Sequence, residues 1–145
     1  MYQEKGYSHR VAVIGYLIDE ERILLLKRRK PPQIWAPPGG HLLTDEDPRK
    51  GLIREFWEET GLKIEVLAPV EVWFGKLGGR AVLSIDFLVK KTGGQLRLSA
   101  EHEAARWFAR GELNKHFPPA PGPSAQFSVQ DFEKAFRVHA LLYGK

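Results

Sequence analysis

Residues 40–62 contain the most strongly determined element of the chain, a helix whose two ends are both marked in the sequence. Asp47 is a favourable N-cap residue, Pro48 suits the first helical position, and Gly61 suits the residue after the last turn. A tight bend at residues 37–40 precedes it. The segment therefore predicts a helix between Asp47 and Gly61 that packs one side against the rest of the fold. The apolar residues of that side are Leu52, Ile53, Phe56 and Trp57.

Three glutamates, Glu55, Glu58 and Glu59, lie on one side of this helix, because residues three and four positions apart are neighbours on a helix surface. No lysine occupies the matching spacings, so the carboxylates repel one another and destabilise the helix. A hard divalent cation among their oxygens reverses that effect. The alternative is a solvated helix face with a local ion-pair network. We favour a metal site because the acids follow so soon after the bend at residues 37–40.

The spacing of these residues matches a known motif. Gly40 is followed after five residues by Glu46, and after seven more by the run Arg54-Glu55-Phe56-Trp57-Glu58-Glu59-Thr60-Gly61-Leu62. This segment resembles the Nudix box, with every fixed position of the pattern filled. In outline the resemblance extends from the strand that begins at Arg10 to the C-terminal helix. It implies the Nudix fold, an α/β/α sandwich with a mixed central sheet and helices on both faces.

Outside the box, apolar and β-branched runs separated by glycine, proline and acidic residues predict strands. We expect strands at residues 10–18, 22–27, 63–76, 80–90, 95–98 and 105–108, with a short extended piece at 34–36. Pro69 marks a break or bulge in the third of these strands. Gly78-Gly79 and Gly93-Gly94 each mark a turn. Residues 118–126 form a stiff proline-rich loop, and a capping box at Ser128 and Asp131 starts a C-terminal helix with an apolar stripe.

Composition limits the class of protein. A length of 145 residues fits one domain, expected to span residues 1–145. The chain has no cysteine, which excludes disulfides, zinc–thiolate sites and thiol nucleophiles and makes a cytoplasmic location the simplest interpretation. No apolar run is long enough to span a bilayer, and residues 1–10 lack the apolar stretch of a signal peptide. The net charge of +4 suits an anionic substrate but does not by itself indicate nucleic-acid binding.

The ligands expected at the acidic helix are all oxygens, which select magnesium or manganese over zinc and copper. Glu55 and Glu59, about one helical turn apart, are the best candidate ligands, and Glu58 adds a third carboxylate. The resemblance to the Nudix box implies that the carbonyl of Gly39 supplies a further oxygen. The expected cofactor is therefore Mg²⁺, with Mn²⁺ as its substitute.

The other fixed positions of the box are expected to support these ligands. Glu46 is expected to orient Arg54 or the helix terminus rather than to bind the metal. Arg54, beside Glu58 on the helix surface, is expected to orient a carboxylate during catalysis. Gly40 and Gly61 are structural positions of the box.

Members of the family commonly take one more glutamate from a distant loop. The resemblance implies that Glu101, six residues before Trp107, fills that position as a metal ligand or general base, with Glu103 as the alternative. The general base stays open among Glu55, Glu58 and Glu101. Neighbouring carboxylates raise the pKa of each acid while a bound cation lowers it, so the sequence does not decide between them.

The resemblance also implies substrate contacts. Arg28, at the end of the second strand, and His41, beside the bend, are candidate phosphate contacts. His41 stands where the family often has lysine, and packing against the bend is its alternative role. Trp35, Trp73 and Phe74 are candidates for stacking a nucleobase, although aromatic residues beside strands more often belong to the core.

These features predict a Mg²⁺-dependent pyrophosphohydrolase that cleaves the diphosphate linkage of a nucleoside diphosphate derivative, foremost a nucleoside triphosphate as in MutT-like members. The alternatives are an ADP-ribose or dinucleotide pyrophosphatase, an RNA 5′-pyrophosphohydrolase, for which the basic run at residues 27–30 argues, and a non-catalytic nucleotide-binding module. Every glutamate of the box is present, which disfavours the non-catalytic module. The expected partner is a small-molecule nucleotide, with an RNA 5′ end the one nucleic acid left open, and with no membrane. Many relatives form dimers, and the sequence leaves the oligomeric state open between a monomer and a homodimer.

Overall fold

The computed structural model describes residues 6–122 and 126–144. Parts of the polar N-terminal segment and of the predicted proline-rich loop, residues 1–5 and 123–125, therefore lie outside the described residues. The elements in chain order are β1 (Arg10–Asp19), β2 (Arg22–Arg28), β3 (Trp35–Ala36), β4 (Gly39–His41), α1 (Pro48–Thr60), β5 (Leu62–Leu77), β6 (Arg80–Gly94), β7 (His102–Ala109), a 3₁₀ helix (Arg110–Lys115) and α2 (Val129–Tyr143).

The strands form one mixed sheet. Its order is β3-β2-β1-β6-β5, with β4 also paired to β1 and β7 to β2. β1 and β6 run parallel, and the other pairs are antiparallel. Because side chains alternate along a strand, β1 contributes to both faces of the sheet. Val13 packs with Phe56 of α1 in one buried cluster, and Tyr16 packs with Phe132 of α2 in the other. The predicted α/β/α sandwich is therefore confirmed.

Helix α1 begins and ends where the sequence predicts. The Asp47 side chain accepts hydrogen bonds from the first-turn amides, and Gly61 adopts the left-handed conformation with φ of 71° and donates its N–H to the Trp57 carbonyl. Its buried side is narrower than expected. Leu52 and Phe56 are fully buried, whereas Ile53 and Trp57 are exposed. The expectation for the last two was wrong because the helix lies on one sheet face, so a single stripe of residues reaches that face.

The hairpin β5–β6 is longer than expected. Register shifts on either side of Pro69 agree with the predicted bulge. Gly94, however, still pairs with Leu62, so the expected turn at Gly93-Gly94 is absent. Residues 95–98 are not a strand. That segment instead crosses the end of α1, where the Arg97 N–H donates to the Thr60 carbonyl at 2.7 Å. The last carbonyls of a helix lack partners within the helix, and this segment supplies them.

The C-terminal helix begins with the predicted capping box, in which the Ser128 side chain accepts from the Asp131 N–H and the Asp131 side chain accepts from the Ser128 N–H. Phe132, Ala135 and Phe136 are buried against the sheet. The short strand β4 and the 3₁₀ helix were not expected from the sequence. Among the described residues, no helix is long and apolar enough to cross a membrane.

Candidate functional site

Strand β4 brings the glycine bend against the end of α1. The Gly39 N–H donates to Oε1 of Glu59 at 2.9 Å. Gly39 lies opposite Ile14 of β1, and the neighbouring Gly15 N–H donates to the Pro38 carbonyl. Hydrogen bonding alternates along an antiparallel pair, so the N–H and C=O of Gly39 both point away from β1. The Gly39 carbonyl, the predicted backbone ligand, therefore faces the same side as the N–H that contacts Glu59.

Glu59 is a carboxyl group in an environment that opposes its charge. Its exposed fraction is 8%. Burial, together with the charges of Glu55, Glu101 and Glu58, raises its pKa to about 8 against the opposing effect of the Gly39 hydrogen bond. A buried carboxyl with three acidic neighbours is unfavourable when ionised, and a cation at this point would remove the penalty.

Glu55 lies directly against the backbone of β4. A Cβ atom on Gly40 would lie 2.6 Å from Oε2 of Glu55, so the carboxylate occupies space that only a glycine leaves free. Burial raises the pKa of Glu55, and the charges of Glu58 and Glu101 act in the same direction, while Arg54 lowers it. The two glycines of the bend thus contact two different acids of the helix.

Arg54 connects the acids of the box. Its Nε and Nη2 donate to the two carboxylate oxygens of Glu46 at 2.8 and 2.9 Å, and its Nη1 donates to Glu55 and Glu58 at 3.0 Å each. Glu46 also accepts from the Leu43 N–H, and the Arg54 hydrogen bonds lower the pKa of Glu46 to about 2. Glu46 therefore holds Arg54 in place, and Arg54 positions the two helix carboxylates.

Of the two candidate glutamates around the start of β7, Glu101 precedes the strand and Glu103 lies within it. The Glu101 side chain is exposed, and its negative charge raises the pKa of both Glu55 and Glu59, so it lies near them. Glu103 instead accepts from Gln33 at 3.0 Å and lies 4.0 Å from the Lys27 ammonium. Of the two candidates, only Glu101 lies near Glu55 and Glu59. We call Glu55, Glu58, Glu59 and Glu101 the acidic cluster.

Arg29 holds the loop that carries Glu101, a contact that the sequence reasoning missed. Its backbone N–H donates to the Glu101 carbonyl at 2.9 Å. Its guanidinium donates to the carbonyls of Ala100 at 3.0 Å and His102 at 3.5 Å. The signal in the sequence is the basic run at residues 27–30, which argues for an RNA 5′ end and does not indicate a contact with this loop.

The two candidate phosphate contacts lie in different places. Arg28 ends β2 opposite His102, next to the Glu101 loop. His41 pairs with Ala12 and so points to the opposite face from Gly40 and its Glu55 contact. Burial lowers the pKa of His41, and the charges of Arg10 and Arg80 lower it further. His41 is therefore grouped with two arginines rather than with the acids.

The three candidates for stacking a nucleobase also lie in different parts of the structure. Trp35 packs edge-on against Phe108, with ring centroids 5.1 Å apart, and belongs to the packing on the α2 face. Phe74 is exposed, with its ring 5.6 Å from that of His9. Trp73 lines a cavity between the sheet and the residues that precede α2. Only Trp73 therefore faces a space that a planar ring could enter.

The acidic cluster is chemically suited to bind a hard divalent cation, because every ligand atom that it offers is a carboxylate oxygen. The most buried of these carboxyl groups, that of Glu59, is also unfavourable as a free anion. Within residues 6–122 and 126–144, no three acidic or histidine side chains already stand in the geometry of a finished metal site. Arg54 contacts Oε1 of Glu55 and Oε1 of Glu58, so Oε2 of each carboxylate lies outside these hydrogen bonds.

Known proteins are similar to this chain in sequence and in fold. The model of the Nudix domain matches residues 8–128. A MutT-like protein from Streptomyces ambofaciens is 37% identical over 107 residues, which are 74% of this chain and 68% of that protein. A dihydroneopterin triphosphate diphosphatase from Haemophilus influenzae is 43% identical over 64 residues, which are 44% of this chain and 40% of that protein. The chain therefore matches less than half of the second relative's length.

The fold is also found among solved structures. A MutT Nudix hydrolase from Burkholderia pseudomallei has a TM-score of 0.73 to this chain, covers 88% of this chain and 98% of its own, and is 25% identical. The match extends over almost all of that protein and most of this chain, so the two share the fold.

Proposed function

Because this chain belongs to the Nudix hydrolase family, and is therefore a pyrophosphohydrolase, we propose that it uses Mg²⁺ to cleave the diphosphate linkage of a nucleoside triphosphate. The observation that carries the proposal is the buried carboxyl of Glu59, hydrogen-bonded to Gly39 and surrounded by the negative charges of three other glutamates. Such a group is stable as an anion only beside a cation, and a cation between carboxylates and a phosphate chain is what this hydrolysis requires.

The proposed metal ligands are the carboxylates of Glu55, Glu58 and Glu59 and the carbonyl of Gly39. Bound Mg²⁺ would neutralise phosphate oxygens and lower the pKa of a coordinated water. Arg54 orients Glu55 and Glu58, and Glu46 fixes Arg54 through two parallel hydrogen bonds.

Glu101 is the proposed general base. Glu55 and Glu58 each already accept a hydrogen bond from Arg54, which occupies one oxygen of each carboxylate. The Glu101 side chain is exposed and makes no ion pair with any described residue, so it is able to take a proton from an attacking water. Arg29 supports this role by fixing the Glu101 backbone.

A second candidate function is supported by a groove beside the box, whose volume is about 520 Å³. Arg10, His41 and Arg80 line this groove together with Asp45 and Glu46, and no ion pair with a described carboxylate neutralises the two arginines. A longer anionic chain, such as the 5′ end of an RNA, would find positive charge there. A rate of RNA 5′-pyrophosphate release that falls steeply with salt would favour this function over the hydrolysis of free nucleotides.

The proposal is tested by a panel of nucleoside triphosphates, ADP-ribose, a dinucleotide and a 5′-triphosphate RNA, each with Mg²⁺. Hydrolysis in heavy-oxygen water, read by mass spectrometry, identifies the phosphorus that is attacked. We expect a nucleoside monophosphate and pyrophosphate from a triphosphate, and no product in excess EDTA. Turnover that survives EDTA would contradict the metal-dependent mechanism, and the absence of turnover on the whole panel would favour a binding module. The cytoplasmic location stays a prediction, and the oligomeric state stays open between a monomer and a homodimer.

A further inference from the structure

Strand β5 forms an edge of the sheet. Among the described residues, the strand order ends at β5, which pairs with β6 alone. The two strands are joined by a turn of two residues, Gly78 and Gly79, both with positive φ, and the turn sets Leu77 opposite Arg80. The residues that flank a two-residue turn of this kind exchange hydrogen bonds with each other. Leu77 therefore directs its backbone N–H and C=O towards β6.

The turn fixes the direction of every backbone group in the regular part of β5, residues 71–77. Backbone groups alternate between the two edges of a strand, so Trp73 and Gly75 bond to β6 as Leu77 does. Val72 and Phe74 then direct their N–H and C=O groups away from β6, to the outer edge. An edge of this kind is a template for another strand, because its donors and acceptors are already extended and in line.

The side chains of this edge are apolar and exposed. Val72 is 60% exposed and Phe74 is 58% exposed. Val72 is paired with Ile85, which packs against the cluster beneath α1, so Val72 and Phe74 lie on the α1 face of the sheet, where the helix does not cover them. Natural edge strands are usually protected by charges or by proline. Here Pro69 and Lys76 stand on either side of Val72 and Phe74 and leave these two residues unprotected.

We propose that two copies of this chain associate through this edge, with their β5 strands antiparallel about a two-fold axis that passes beside Trp73. Val72 of one copy then lies opposite Phe74 of the other, and the same pair repeats on the other side of the axis. Because Val72 and Phe74 have the outward backbone groups, each such pair exchanges two hydrogen bonds. The edge is therefore complementary to itself in its backbone as well as in its side chains.

The side chains favour this register over its neighbours. Aromatic and β-branched side chains that lie opposite each other stabilise an antiparallel pair, and the axis at Trp73 makes two such pairs. An axis at Phe74 would instead place Val72 against the ammonium of Lys76. An axis at Glu71 would place two carboxylates opposite each other, which is unfavourable.

The ends of the edge limit the assembly to two copies. The register shift at Pro69 interrupts β5 on one side, and the hairpin turn ends it on the other. The regular stretch between them accepts one partner strand. Because the two-fold axis uses the same stretch on both copies, it leaves neither of them with a free edge of this kind.

The dimer is expected to be weak. Pairing through one short strand buries an area at the low end of specific interfaces, and each copy has a net charge of +4. Dilution should therefore dissociate the dimer, and salt should strengthen it by screening the repulsion between like charges. Sedimentation of the wild-type chain over a wide range of concentration, at low and at high salt, measures both effects. A chain that stays monomeric throughout would overturn the proposal.

Phe74→Lys tests the side chains of the edge, because a lysine on an edge strand is a common natural barrier to strand pairing. We expect this variant to be monomeric under the conditions in which the wild-type chain dimerises. Leu141→Lys is the matched control, since it makes the same change at an apolar side chain that is 81% exposed on α2. It is expected to dimerise like the wild type. Equal dimerisation of the two variants, or loss of the dimer in Leu141→Lys alone, would contradict an interface at β5.

A cysteine test measures the register. The chain has no cysteine, so a single introduced thiol forms a disulfide only between copies. Trp73→Cys places the two thiols opposite each other at the axis, where residues that are not hydrogen-bonded to each other have Cα atoms about 4.5 Å apart, within the range of a disulfide. Lys76→Cys, farther along the same edge, places the two Cα atoms about 20 Å apart. We expect mild oxidation to cross-link the first variant and not the second.

Cross-linking of Lys76→Cys in preference to Trp73→Cys would overturn the proposal, as would failure of Trp73→Cys to cross-link at concentrations where the wild-type chain dimerises. None of these measurements uses the rate of hydrolysis, so their outcome is independent of the proposed function.

Discussion

The amide of Gly39 and the carboxyl of Glu59 are joined by a 2.9 Å hydrogen bond that connects the glycine bend to the last turn of α1. This bond holds Glu59 in a buried position where burial and neighbouring acids raise its pKa to about 8. The position of the Glu59 carboxyl therefore depends on the backbone of β4, and its ionisation depends on whether a cation lies among the glutamates.

Replacing Glu59 with glutamine should reduce kcat by about 100-fold or more, because a bound cation that supplies several kcal/mol of charge stabilisation would lose its most buried ligand. The fold should persist, since the amide oxygen still accepts from the Gly39 N–H. Steady-state kinetics with saturating Mg²⁺ measure the first effect, and thermal unfolding in EDTA measures the second. A rate within about threefold of wild type would contradict the ligand assignment, because such a small effect is expected of substitutions outside functional sites.

Replacing Gly40 with alanine should lower kcat by about tenfold or more, since displacement of a catalytic group by about 1 Å is sufficient for such a loss. The added Cβ would meet the carboxylate of Glu55 at 2.6 Å, and the end of that side chain can move without disturbing the fold. Gly111→Ala is the matched control, because nothing lies within 4 Å of its Cβ position. If Gly40→Ala keeps full activity, the close approach to Glu55 has no catalytic role.

Replacing Glu101 with glutamine should reduce kcat by about 100-fold or more, the usual contribution of a general base. Glu103→Gln, two residues away at the start of β7, is the matched comparison, because Glu103 contacts Gln33 and Lys27 instead of the acidic cluster. It should stay within about threefold of wild type. The opposite order of the two effects would exchange their roles.

The parts of the site that were predictable are those with local causes. The bounds of α1 follow from Asp47 and Gly61, which act within one turn, and the grouping of Glu55, Glu58 and Glu59 follows from helical spacing. The role expected for Glu46 agrees with its contact to Arg54, eight residues away. Resemblance to a fixed motif supplied the rest of these assignments.

The parts that were missed depend on contacts between distant segments. Arg29 holds the Glu101 loop across 71 residues of sequence, and no local pattern signals such a bond. Residues 95–98 alternate polar and apolar side chains like a strand. Their backbone instead donates a hydrogen bond to a carbonyl at the end of α1. The cavity around Asp86 was not anticipated either, because Asp86 sits in a strand whose sequence gave no reason to expect a buried acid.

Asp86 should make the metal-free protein less stable as the pH rises from about 4 to about 7. Burial raises the pKa of Asp86 to about 7, with Glu71 and Asp131 acting in the same direction and Ser84 opposing, whereas the unfolded chain titrates near the ordinary value of 3.8. Between these values the unfolded chain has lost its proton and the folded chain retains it, so unfolding is favoured; above the folded pKa the difference is constant. The total effect is on the order of a few kcal/mol.

The free energy of unfolding by urea, measured in EDTA at pH 5 and pH 8, should therefore fall more for the wild-type chain than for Asp86→Asn, whose amide does not titrate. Glu59 contributes a decline of the same sign in both proteins, because its pKa is also raised, so the difference between the two slopes isolates Asp86. Tyr16, facing Asp86 from β1, titrates far above this range, and Lys134 is paired with Glu71. If the free energy of unfolding fell equally between pH 5 and pH 8 in the two proteins, Asp86 would already be ionised in the folded chain at pH 5.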